Sequence, residues 1–245
     1  MKLNNAEFVV TSDTALSVVF GDKISDEIND RVNSLADSLK KSGIKGITEL
    51  CPSYCSLTIS YEPDIISVNR LKRKIKGVLR KEMSVRSEDS VLWEIPVCYG
   101  GKYGEDLDDT AKLLGITPQE LIKRHSQTVY KIYMLGFLPG FAYLGGMDSS
   151  IAAPRLSSPR KRIPAGSVGI GGQQTGIYPM SSPGGWRLIG TTPVDVYNLK
   201  REEPILYSAG DYLRFIPVSE EEFESIKLQI ESGTYTYKSD EAVRK

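Results

Sequence analysis

The chain has 245 residues, enough for one large or two modest domains with buried cores. It is 40% hydrophobic and 25% charged, and its 31 Lys and Arg balance its 31 Asp and Glu. That composition is ordinary for a soluble protein, and the neutrality gives no general drive toward nucleic acid or a membrane surface. No apolar run reaches the ~18 residues a membrane span needs. The opening MKLNNAEFVV lacks the apolar core of a signal peptide, so the expected location is cytoplasmic.

EFVVTSDTALSVVFG (7–21) reads as two short strands around a polar turn. Ser25 suits a helix N-cap, Asp26 and Glu27 suit its first turn, and Ile24, Ile28, Val32, Leu35 and Leu39 keep one apolar face. Gly43 ends this helix in the left-handed conformation. Residues 46–63 give two β-rich runs broken at Pro52–Ser53. Cys51 and Cys55, with Cys98, cannot pair completely and suit a reducing compartment; with one histidine in the chain, CPSYC makes no zinc site. Ser67 caps a second helix whose core face is Val68, Leu71, Ile75, Val78 and Leu79. Its other face carries Arg70, Lys72, Arg73, Lys74, Lys76, Arg80 and Lys81, a solvated face or a surface for an acidic partner. No aromatic platform is interleaved there, which argues against nucleic acid. SVLWEIPVCY (90–99) closes with a strand. The resulting strand–helix–strand–strand–helix–strand order is the ferredoxin-like split βαβ pattern, an α+β domain over residues 1–92.

The second half, 93–232, has a different texture. GKYGEDLDDTAKLLG is a turn leading into a short helix, and Thr117, Pro118 and Glu120 start another with a capping box. TVYKIYMLGFLPGFAYLGG (128–146) begins as an apolar strand and dissolves into Gly, Pro and aromatics. From Ala152 to Tyr197 nearly every β-run is bounded by Gly or Pro, which argues for a barrel or sandwich. PILYSAGDYLRFIPV (204–218) adds two strands, and Ser219 caps a last helix with Phe223, Ile226 and Ile230 inward. The polar tail, 233–245, is expected to be flexible.

Between Arg162 and Gly190 stand eight glycines and no acidic residue. Gly171 and Gly176 have Walker spacing, but Ile177–Tyr178 replace the lysine and hydroxyl residue; Gln174 replaces the third glycine of a dinucleotide fingerprint. The glycines therefore read as tight turns and close backbone approach. From Asp148 to Asp195 the chain has no intervening carboxylate, yet it holds Arg155, Arg160, Lys161, Arg162 and Arg187. Such a segment points to an anion site for carboxylate or phosphate, unless the cations pair with Glu105, Asp106, Asp108 or Asp109. Gln173 and Gln174 offer amide groups beside the glycines. His125, the one side chain able to exchange a proton near neutrality without a shifted pKa, is the candidate catalytic proton carrier; no GxSxG elbow exists to pair with it.

HSQTVYKIYMLGFLPGFAYLGG, PRLSSPRKRIPAGSVGIGGQQTGIYPMSSPGGWRLIGTTP and FIPVSEEEF closely resemble the family of B-type 5-oxoprolinase subunits. That family also takes in the sporulation kinase inhibitor KipI, "allophanate hydrolase subunit 1" proteins and half of the carboxyltransferase region of urea carboxylase. The resemblance implies a cyclophilin-like β-barrel in the second half. It also implies an enzyme subunit working with two partners, a homologous C-type 5-oxoprolinase subunit plus a barrel-type (A-type) one. Together they would open 5-oxo-L-proline to L-glutamate, with ATP and Mg²⁺ as co-substrate shared with a partner. On this expectation Arg155 and Arg162 hold an anion, Gln174 and Tyr178 orient the amide, and Pro183, Gly184, Gly185 and Trp186 shape the rim. Two other roles fit the same likeness: inhibition of a sensor histidine kinase by binding, and a urea carboxylase or allophanate-related role in amide metabolism.

Overall fold

The computed structural model describes residues 6–23, 25–80, 90–136, 138–237 and 239–241. Ile24, Lys81 and Phe137, which belong to the patterns above, lie outside them, as do 1–5 and 242–245. The chain forms two compact units, residues 1–89 and 90–245.

The first unit runs β1 (Glu7–Ser12), β2 (Ala15–Val19), α1 (Asp26–Ser42), β3 (Ile47–Pro52), β4 (Ser56–Tyr61) and α2 (Val68–Arg80). Its strands make one antiparallel sheet in the order β1-β2-β4-β3, so β4 lies between the two strands that α1 connects. The Ser25 hydroxyl accepts from the Ile28 amide at 3.2 Å, and Gly43 caps the other end at φ 57°. Val32, Leu35 and Leu39 of α1 and Leu71, Ile75 and Leu79 of α2 meet Leu16, Val18, Leu57 and Ile59 in one core. Burying each such side chain contributes about 1.5–3 kcal/mol. The apolar stripe of α1 is interrupted by buried Asn29 and Asn33, which are joined at 2.9 Å.

The expected fourth strand, 90–99, is not part of this sheet; β1 fills that edge instead. Residues Val91–Tyr99 (β5) open the second unit. Ile95, Val97 and Cys98 are all buried, the signature of a strand covered on both sides and therefore central. The unit continues with α3 (Leu107–Leu114), α4 (Pro118–Gln127), β6 (Tyr130–Leu135), β7 (Ala142–Gly145), β8 (Arg160–Ile163), β9 (Ser167–Gly171) and β10 (Gln174–Ile177). It ends with β11 (Ser182–Gly184), β12 (Arg187–Thr191), β13 (Tyr212–Pro217), α5 (Glu220–Glu231) and β14 (Ser239–Glu241). The large sheet has the order β10-β9-β12-β5-β13-β6-β7, with β5 and β13 parallel. Its end strands curl toward each other, a Cβ on Gly176 lying 3.2 Å from the Ala142 carbonyl oxygen, so the barrel is nearly closed. Inside it are Ile95, Val97, Ile132, Val168, Ile170, Ile177 and Phe215. A separate ribbon pairs β8 with β11.

Within the expected flexible tail, 233–245, residues 233–237 and 239–241 are described and the rest lie outside the described residues. The described part returns to the sheet, where β14 pairs antiparallel with the start of β5, Ser239 opposite Trp93. Tyr235 and Tyr237 pack against the barrel core, and the Arg201 guanidinium lies 5.6 Å from the centre of the Tyr237 ring. Polar composition misreads this segment because two aromatic anchors outweigh its neighbours.

Candidate functional site

The glycine-rich stretch is a floor for one indole. Gly169 and Gly171 alternate with Val168 and Ile170 along β9, so the branched residues enter the barrel while the glycines face out. Gly176 of β10 stands opposite Gly169, and Gln174 opposite Gly171, on the same outer face. Trp186 lies over that face. A Cβ on Gly169 would be 3.2 Å from the Trp186 Cβ, one on Gly176 would be 3.3 Å from the ring, and one on Gly171 would collide with the indole. Phe141, Ile163, Tyr178 and Leu188 complete a cluster outside the barrel. Phe141–Trp186 and Tyr178–Trp186 are T-shaped pairs at 5.6 and 5.9 Å, each contributing about 0.5–1.5 kcal/mol beyond burial.

The five cations divide. Arg160 is neutralised: its Nη2 meets Asp106 Oδ1 at 2.8 Å and its Nε meets Glu105 Oε1 at 3.0 Å. Asp106 Oδ2 also accepts from the Leu188 amide at 2.6 Å, and Arg160 Nη1 donates to the Trp186 carbonyl at 3.4 Å, so this pair fixes the turn that carries the indole. The hydrogen bond that Arg160 donates to Asp106 holds its guanidinium above the usual pKa. Arg187 donates to the Pro154 carbonyl at 2.9 Å. Arg155, Lys161 and Arg162 are exposed, and among the described residues no ion pair engages them. Arg162 Nε reaches Ser181 Oγ at 3.1 Å.

Several expected site residues come together. The Leu156 amide donates to the Gly185 carbonyl at 2.7 Å, tying the Arg155 loop to the SPGGW rim. Burial raises the Tyr178 phenol above its ordinary pKa, while a hydrogen bond from the Trp186 backbone and the nearby charges of Arg155 and Arg160 pull it down. Gly184 lies so close to the Tyr178 hydroxyl that a Cβ would strike it. Pro183 is exposed and Gln174 half-buried. Arg162 stands farther along β8, at the start of the ribbon's other strand. Sequence reasoning missed Phe141 as the ring that bridges Tyr178 and Trp186; the GFAYL run was its only signal.

His125 is elsewhere. It is 0% exposed inside the barrel, stacked 4.5 Å from Phe215. Its Nε2 is 2.7 Å from Thr175 Oγ1, whose hydroxyl donates to the Gly169 carbonyl; the ring must therefore donate at Nε2 and accept at Nδ1 from the Tyr99 hydroxyl, 2.8 Å away. Burial pushes its pKa down to about 3. A neutral ring with both nitrogens engaged and no exposed surface does not suit a proton carrier, and the expectation is corrected on that ground. Among the described residues no group of three His, Cys, Asp or Glu side chains is arranged to hold a metal ion, and no helix is long and apolar enough to cross a membrane.

Comparison with known proteins places these features in a family. The carboxyltransferase domain, subdomain C and D, family model matches residues 6–207. The B-type 5-oxoprolinase subunit of Bacillus subtilis is 41% identical over 225 residues, 88% of this chain and 94% of that protein. Its counterpart of the same name in Escherichia coli O157:H7 is 39% identical over 175 residues, 71% of this chain and 79% of that one. The solved structure of TTHA0988 is 38% identical with a TM-score of 0.75; it matches 84% of this chain, which spans only 40% of that longer chain. With a family model spanning most of its length and relatives of this identity, the chain belongs to the family of B-type 5-oxoprolinase subunits, within the carboxyltransferase subdomain C and D group.

Proposed function

We propose that this chain is a subunit of an ATP-dependent 5-oxoprolinase that, with its C-type and A-type partners, opens 5-oxo-L-proline to L-glutamate. The observation that carries the reading is the 41% identity to a B-type 5-oxoprolinase subunit over 88% of the chain. On the same reading the second unit is a cyclophilin-like barrel, the first a ferredoxin-like domain, and the complex cytoplasmic.

The chemistry suits a rim whose cations Arg155 and Arg162 are exposed beside the buried rings of Tyr178 and Trp186. Amide resonance makes a lactam carbonyl a poor electrophile; ATP would activate it by phosphorylating the amide oxygen as ADP leaves. Water would then add to that carbon and the C–N bond break with the proton going to nitrogen. A second water would hydrolyse the resulting γ-glutamyl phosphate to glutamate and phosphate. Substrate carboxylate and phosphate are both anionic. Arg155 and Arg162, free of acidic partners among the described residues, hold an anion through charge-assisted hydrogen bonds of about 1.5–3 kcal/mol each. Tyr178, whose hydroxyl is fixed by the Trp186 backbone, and Gln174 orient the amide. Pro183, Gly184, Gly185 and Trp186 wall the rim and exclude water. Arg160 serves by locking the rim to Asp106 instead of binding substrate. Among the described residues no group of three His, Cys, Asp or Glu side chains is placed to hold a metal, and this reading assigns the Mg–ATP site mostly to a partner.

Omitting this chain from a mixture of the purified partner subunits, 5-oxo-L-proline and Mg–ATP tests the assignment. Glutamate release should cease and return on adding it back; release unchanged by omission would refute the reading.

A further inference from the structure

A cavity lies beside that rim, reaching Pro179, the neighbour of Tyr178, and Gly166, whose amide donates to the Tyr178 carbonyl at 2.8 Å. It is a cleft of about 290 Å³ between α5 and the Thr191–Val196 segment, and none of the residues assigned above lines it. Its floor is apolar: Phe223, Val194 and Val196 are each at most 6% exposed, and Ile230 and Pro179 join them. Its charges are mixed, with Lys227 and Glu231 from α5 and Asp195 from the loop.

Those charges are not joined in ion pairs among the described residues, although Arg201 Nη1 donates to the Asp195 backbone carbonyl at 2.7 Å. Lys227 and Glu231 are one turn apart on α5, a spacing that often supports an ion pair. Yet among the described residues no ion pair engages Lys227, Glu231 or Asp195. Asp195 Oδ2 accepts from the neutral Asn198 amide at 3.3 Å, which orients the carboxylate without cancelling its charge. A simple anion would meet two carboxylates here, a simple cation would meet Lys227, and a purely apolar molecule would leave the charges unmatched. A molecule carrying both charges on a short link, with an apolar body, meets the apolar floor and one charge of each sign, with Glu231 left to solvent. We infer that this cleft binds a free α-amino acid with an apolar side chain, its carboxylate on Lys227, its ammonium on Asp195 and its side chain on Phe223 and Ile230. This goes beyond the proposed reaction and does not depend on it.

The probe is L-leucine, titrated into the full chain and followed by backbone amide NMR. Saturable shifts should be confined to residues 165–166, 191–196 and α5. N-acetyl-L-leucine, which lacks the cation, and L-leucinamide, which lacks the carboxylate, should each bind about tenfold more weakly. Lys227→Gln and Asp195→Asn, both exposed polar exchanges that leave the core intact, should weaken L-leucine by a similar factor. No shifts at about 10 mM L-leucine would overturn the inference. So would equal affinity for the blocked analogues or for either variant.

Discussion

At the scale of single residues, two buried side chains explain much of the second unit's composition. The indole of Trp186 needs a floor without Cβ atoms, and Gly169, Gly171 and Gly176 provide it. Gly171→Ala should therefore destabilise the protein by about 1–3 kcal/mol, because the indole must move. Gly77→Ala, on an open helical surface with nothing within 4 Å, should stabilise it by about 0.5–1 kcal/mol. Urea midpoints of the two variants measure both effects, and a matching sign would refute the contrast. His125 gives the barrel a pH dependence. Its folded pKa, about 3, lies below the unfolded value near 6.5, so between those pH values the unfolded chain binds more protons. Its contribution is complete above pH ~6.5 and is lost as pH falls toward ~3, with a slope of up to about 1.4 kcal/mol per pH unit. Unfolding free energies of wild type and His125→Asn, compared at several pH values in that window, should converge on acidification. A constant difference would contradict the buried neutral ring.

At the scale of elements, long-range pairing decides what local pattern leaves open. The helices were legible: caps at Ser25, Thr117 and Ser219 and the apolar faces of α1 and α2 stand where spacing puts them. Residues 90–99 were legible as a strand, but nothing local says that β5 joins β13, with Trp93 opposite Leu213. Parallel partners are brought together by everything between them. The cation-rich segment was legible as well, and so was the choice between an anion and acidic partners; which cation takes which could not be read. Arg160 meets Asp106 from 54 residues away, while Arg155 and Arg162 stay exposed. The tail misled because Tyr235 and Tyr237 anchor it and β14 then pairs with the backbone at the start of β5, neither of which its polar composition shows. Removing one side of the partly buried Arg160–Asp106 pair leaves a charge and the Leu188 amide unmatched. Asp106→Ala should accordingly cost about 3 kcal/mol and loosen the Trp186 turn, visible in tryptophan fluorescence. Unchanged stability would show that the pair does not anchor that turn.

At the scale of the whole molecule, Tyr99, His125, Thr175 and Phe215 pack together in the barrel interior, and the proposed ligand chemistry is placed on its outer face and rim. There, a fixed aromatic wall stands beside cations without acidic partners among the described residues, and that combination is the core of the functional account. Basic charge alone does not make this combination: α2 carries Arg70, Lys72, Arg73, Lys74, Lys76 and Arg80, where Lys76 Nζ lies 5.4 Å from the centre of the single Phe8 ring. The most direct measurement is ATP-dependent glutamate release by the reconstituted subunits, comparing Arg155→Ala and Arg162→Ala with Lys76→Ala. The rim variants should each lose about tenfold or more in kcat/KM, the value of one charge-assisted contact, and Lys76→Ala should match wild type. Equal activity in all three would contradict the claim that this rim holds the substrate's negative charge.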